Sequence, residues 1–116
     1  MSLRTPEMEA EYQQAKANGT LVSIVDEVPI REWEYWKLVV NRFWHDEVCV
    51  FGLMIVLKRE CPIIWQIRDD ELRELWRTVC PWMDAKFHSL TINLEAMRSI
   101  NNIPHIQVYI LQKKFQ

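Results

Sequence analysis

No surplus of positive charge runs through this chain. Its 116 residues carry a formal net charge of -2, with 14 lysines and arginines against 16 aspartates and glutamates. A general nucleic-acid binder needs a basic surface to neutralise phosphates, so that class is excluded, although a local patch could still hold one small anion. No apolar run approaches the length of a membrane helix, and Met-Ser-Leu-Arg-Thr-Pro at the start has no apolar stretch to act as a signal peptide. The three cysteines, Cys49, Cys61 and Cys80, show no Cys-x-x-Cys spacing, so buried reduced thiols in a cytoplasmic protein are expected. Neither an internal repeat nor a low-complexity segment is present. No metal or cofactor is called for: His45 and Cys49 stand four apart, but in a stretch that reads as loop and strand rather than helix.

Apolar residues make up 49% and charged residues 26%, which is the ordinary range of a globular domain. The length suits one domain, 1–116. Six tryptophans are many for this size and read as core or interface anchors.

Thr5-Pro6 predicts a helix start, a hydroxyl N-cap followed by proline, and Asn18-Gly19 predicts its left-handed end, so residues 1–20 read as an N-terminal helix and cap. Leu21 to Val25 reads as a strand, Trp33 to Phe43 as an extended segment, and Trp44-His45-Asp46-Glu47 as a polar break. Val48 to Leu57 has the near-continuous apolarity of a central strand. A long helix begins at Asp69 or Asp70, with Leu72, Leu75, Trp76, Val79, Met83 and Phe87 expected on its buried face. Glu71, Arg73, Glu74 and Arg77 are expected on the opposite face, and Pro81 predicts a kink or break near Cys80. Ser89 to Leu94 and Ile106 to Leu111 read as the last strands, joined through a polar loop over Arg98 to Asn102. The order predicts an α+β fold: an antiparallel sheet of about five strands with one main helix packed on one face.

On the last strand, alternation places Ile106, Val108 and Ile110 toward the core and His105, Gln107 and Tyr109 together on the other face. This segment resembles the His-φ-His-φ-His-φ-φ signature of histidine-triad (HIT) proteins. Thr91-Ile92-Asn93-Leu94 resembles the family's penultimate strand, which ends in an asparagine near the phosphate. Leu53 to Arg59 resembles its apolar strand followed by two basic residues, and Asn41-Arg42-Phe43 is similar to a stretch upstream in some members. The resemblance covers residues 33–111. It implies a HIT-like core, a homodimer formed through the long helix and the sheet edge, where Trp76 and Trp82 would suit the contact, and a nucleotide or small phosphate ligand. Carried over residue by residue, the ligand set is Asn41, Phe43, Lys58, Arg59, Asn93, Asn102, His105, Gln107 and Tyr109, with His105 the one catalytic candidate.

The departures from the signature bear on chemistry. Gln107 occupies the place of the nucleophilic histidine, and a carboxamide nitrogen offers no lone pair to attack phosphorus. Tyr109 replaces the third histidine, Gly52 and Glu60 or Cys61 stand where members often carry others, and Ile100-Asn101-Asn102 replaces a glycine-rich phosphate loop. The family's covalent mechanism is therefore not expected here. Three readings follow: a HIT-like protein that keeps a nucleotide-sized pocket without nucleotidyl-histidine chemistry, a hydrolase using His105, Tyr109 and Glu60 to activate water directly, and a ligand-free interaction module. His88-Ser89-Leu90-Thr91 superficially resembles a His-x-Thr motif, but its threonine falls one place too far along for same-face alternation.

Overall fold

The structure is a computed structural model, describing residues 3–21, 26–87, 89–92 and 103–116. The strand expected over 21–25, apart from Leu21, lies outside the described residues, as do His88, Asn93, Asn102 and the loop expected over 98–102.

Helix α1 spans Pro6–Ala17. The Thr5 hydroxyl accepts from Met8 N at 3.2 Å and caps it, and Gly19 ends it at φ 67°. There Thr20 N bonds Ala15 O at 3.0 Å and Gly19 N bonds Lys16 O at 3.3 Å, the paired closure that a left-handed residue permits. No α1 residue is buried. Among the described residues the sheet has five antiparallel strands, β1 (Arg31–Glu32), β2 (Trp36–Val40), β3 (Cys49–Leu57), β4 (Ser89–Thr91) and β5 (His105–Leu111), in the order β1-β2-β3-β5-β4. The fold is α+β, and β3, the most apolar segment, is the central strand. Gly52 through Leu57 are all buried, because both faces of the sheet are covered there.

One face carries Trp36, Leu38, Leu53, Ile55, Leu57, Ile106 and Val108, packed with Cys61, Val79 and Met83. Its cover runs from Asp69 to Asp84 in three consecutive pieces: α2 (Asp69–Glu74), a π-helical turn (Leu75–Val79) and α3 (Cys80–Asp84). The π turn answers the expected break. Cys80 N reaches back to Leu75 O, and this wider spacing accommodates Pro81, which has no N–H and whose ring would crowd the carbonyl one α-turn before it.

The buried stripe of this helix differs from the expected one. Glu71 is buried at 1% exposure, while Leu72 and Trp76 stand 45% and 74% exposed. The π turn shifts the face by a residue, and Arg59 supplies the countercharge that lets a carboxylate sit inside. The two guanidinium nitrogens Nε and Nη2 donate to Glu71 at 2.7 Å each, and Arg68 N donates at 2.9 Å. The helix is also tied to the β1–β2 hairpin: Trp36 Nε1 donates to Glu71 O at 2.8 Å, and Glu74 Oε1 accepts from Tyr35 N and Trp36 N.

Gly52 marks a second close approach. A Cβ there would lie 2.4 Å from Trp44 Cβ and 3.5 Å from its Cα, so the 41–48 loop crosses directly over β3. Gly52→Ala should cost about 2 kcal/mol, because the backbone of that loop must lift. A urea unfolding curve measures this, and an unchanged midpoint would mean that the loop yields freely.

Candidate functional site

The second face of the sheet carries a polar layer. Register places Lys37, Val56 and His105 in one row, Val39, Met54, Gln107 and Thr91 in the next, and Gly52, Tyr109 and Ser89 in the third. Asn41 N bonds Gly52 O at 3.1 Å and brings Asn41 beside that third row. Alternation along β5 therefore does what the sequence predicts: Ile106 and Val108 enter the helix-side core, and His105, Gln107 and Tyr109 share the opposite face. These three are not a half-exposed strand face. They are 5%, 4% and 5% exposed, and Asn41, Lys37 and His45 are buried beside them.

Burial obliges each polar atom to find a partner. Asn41 Nδ2 donates to Gln107 Oε1 at 2.9 Å, and Asn41 Oδ1 accepts from Phe43 N at 3.2 Å. Asn41 thus orients Gln107 and begins the loop in one step. His105 Nδ1 lies 3.1 Å from Ile103 O, a contact that places the ring proton on Nδ1. At the other end of the face the Tyr109 hydroxyl contacts His45 Nδ1, with the two rings edge-on and their centroids 5.6 Å apart. Burial pushes the Tyr109 phenol up, so it stays protonated and donates to His45.

Electrostatics sharpen that end. Burial first, then the Arg4 guanidinium and the neighbouring His105, lower His45 to about 4, against the smaller opposing pull of Asp46 and Glu9. His45 is consequently a neutral imidazole at neutral pH, fit to accept a hydrogen bond. The sequence gives little sign of this residue's role, since Trp44-His45-Asp46-Glu47 reads there as a polar break. Only the crossing of the loop over Gly52 sets it against Tyr109. Arg4 and Lys37 join the same surroundings through the tertiary fold alone.

The other expected ligand residues separate from this group. Lys58 follows β3 at the surface, bonded to Trp33 O and 3.1 Å from Glu32. Arg59 turns to the helix-covered side and is committed to Glu71. Phe43 stacks edge-on with Tyr12 at 5.5 Å, and Glu60 is exposed in the turn after β3, outside the buried layer. His105, Gln107, Tyr109 and Asn41 are brought together; Lys58, Arg59 and the Phe43 ring are not.

No family model, curated protein or solved structure matched the chain.

Among the described residues no group of three His, Cys, Asp or Glu side chains converges as a metal site. The cysteines are unpaired: Cys49 and Cys61 are buried and Cys80 half-buried, and burial raises the Cys49 thiol to about 11. No helix among the described residues is long and apolar enough to cross a membrane. A hollow of about 540 Å³ lies between the helix and the sheet edge, lined by Trp76, Cys80, Phe87 and Leu90 among others. Among the described residues the buried polar side-chain atoms all have hydrogen-bond partners within the protein. The polar layer holds no group placed as a nucleophile at Gln107.

Proposed function

We propose that this chain is a divergent HIT-like domain whose β2–β3–β5 polar face serves non-covalent recognition of a nucleotide-class or small phosphate ligand. The supporting observation is the burial of Asn41, His105, Gln107 and Tyr109 on one face, with His45 in contact with Tyr109. Each of these groups is hydrogen-bonded within the protein, and a ligand would bind by exchanging an internal partner for one of its own. Gln107 in the middle position favours binding over phosphoryl transfer. The hydrolytic reading is weakened by Glu60, which is exposed outside the layer that contains His105 and Tyr109.

The test is a thermal-shift series with nucleoside mono- and diphosphates, dinucleoside polyphosphates and inorganic phosphate. A ligand at a hundred times its dissociation constant should add about 2.7 kcal/mol, a rise of several degrees for a domain of this size. The shift should shrink in Gln107→Ala and His105→Ala. A flat series with all of these ligands would overturn the reading.

A second reading rests on a separate observation. Trp76 is 74% exposed beside the hollow at the helix–sheet edge, and Leu72, Leu90 and Ile92 are exposed as well. A homodimer through this edge would bury them. Light scattering should then report a dimer that Leu90→Lys converts to monomer. A monomer in the wild type would remove this reading.

A further inference from the structure

The N-terminal segment is held to the domain in an unusual way. Helix α1 buries none of its residues fully. The segment before it is attached by polar contacts to one loop. Thr5 N and Thr5 Oγ1 donate to the two carboxylate oxygens of Asp46 at 2.7 and 2.8 Å, and Arg4 Nε donates to Phe43 O at 2.6 Å. Glu47 N donates to Leu3 O at 3.0 Å. Tyr12, flanked by the Arg4 guanidinium 4.5 Å away, meets the edge of Phe43.

The same loop carries His45 to Tyr109, and its far end is pinned independently of the N-terminus. Gln112 Nε2 donates to Asp46 O at 2.7 Å, Cys49 N bonds His45 O at 3.1 Å, and Trp44 lies against Gly52. Arg4 is close enough to act electrostatically on both His45 and Tyr109, and Glu9 acts on His45. Residues 3–5 are therefore bonded to the loop that carries His45 to Tyr109, and that loop has its own anchors to the sheet.

We infer that Leu3–Thr5 is a strap that seals the Tyr109 end of the polar face and opens without unfolding of the sheet. Ligand access to that end is then governed by the N-terminal segment. The inference rests on the proposed ligand role of this face for its function, but not for its structure. The physical basis is unequal stability: a few part-buried polar contacts open more readily than a strand buried on both faces. His45 reports the opening. The groups that face it are Arg4 and Glu9 from the strap side, Asp46 from its own loop, and His105 and Tyr109 from β5. Opening the strap hydrates the ring and removes Arg4; both changes favour the imidazolium and outweigh the loss of the smaller attraction to Glu9.

Amide exchange and histidine titration by NMR on the full chain, wild type against Thr5→Val, test this. The substitution removes the hydroxyl that donates to Asp46 and caps α1, and keeps every titratable group that faces His45. Glu47 N is bonded across to Leu3 and reads the strap, whereas the Ile55 amide in β3 reads the sheet. In Thr5→Val the Glu47 amide should exchange about tenfold faster with Ile55 unchanged, and the His45 midpoint should rise from about 4 toward 6.5. Wild-type values at Glu47 or at His45 would overturn the inference. So would equal acceleration at Ile55, since strap and sheet would then open as one unit. A flat nucleotide series leaves a positive result here standing, and a closed strap leaves a nucleotide-induced shift standing.

Discussion

Arg59→Leu is expected to lower stability by about 3–5 kcal/mol, the cost of stranding a buried charge. Glu71 is 1% exposed and takes both of its short charged bonds from Arg59, at 2.7 Å each. Without them the carboxylate keeps Arg68 N at 2.9 Å and a distant Arg68 guanidinium at 3.6 Å. Arg59→Lys should recover part of the loss, because an ammonium restores charge but not the two-point geometry. Arg59→Leu/Glu71→Leu should recover more, since no unpaired charge remains. Urea unfolding of the four proteins gives the coupling energy. If Arg59→Leu were within 0.5 kcal/mol of wild type, Glu71 would have to be neutral or hydrated. The pair also has a pH signature. Hydrogen bonding from Arg59 holds the Glu71 carboxyl below its usual value of 4.5. Its stabilisation is full above the unfolded value and is lost as pH falls through the lower folded one, and that loss should be smaller in Arg59→Leu.

His45 gives the second large effect, on acidification. Its folded value near 4 lies below the ordinary 6.5, so between these values the unfolded chain takes up a proton that the folded one refuses. Stability should be full above pH 6.5, fall as pH drops toward 4, and level off below it. At full effect the slope approaches about 1.4 kcal/mol per pH unit, or about 3 kcal/mol across the window. Unfolding curves of wild type and His45→Gln, compared across that window, isolate this residue from the other histidines. Parallel pH profiles would mean that His45 is solvated in the folded state.

Local chemistry explains how much of the fold is legible in the sequence. Thr5-Pro6 and Asn18-Gly19 define α1 because caps depend on neighbouring atoms. Alternation from His105 to Leu111 sorts β5 onto two faces, since side-chain direction in a strand follows from the backbone. The apolarity from Val48 to Leu57 identifies the central strand. Periodicity fails in the long helix for two reasons. A π turn breaks the 3.6-residue repeat, and the rule that charge lies outside ignores a guanidinium brought in from another part of the chain.

The candidate site divides along the same line. The sequence by itself determined that Gln107 cannot be a phosphorus nucleophile and that His105, Gln107 and Tyr109 share a face, because residue chemistry and strand parity require no other part of the chain. Tertiary structure alone decided that this face is buried and that Asn41 holds Gln107. It also decided that Arg59 serves Glu71 rather than a ligand, and that His45 meets Tyr109. Each of these joins segments far apart in sequence. Burial and charge pairing are properties of what the folded chain brings into contact, and no local pattern encodes them.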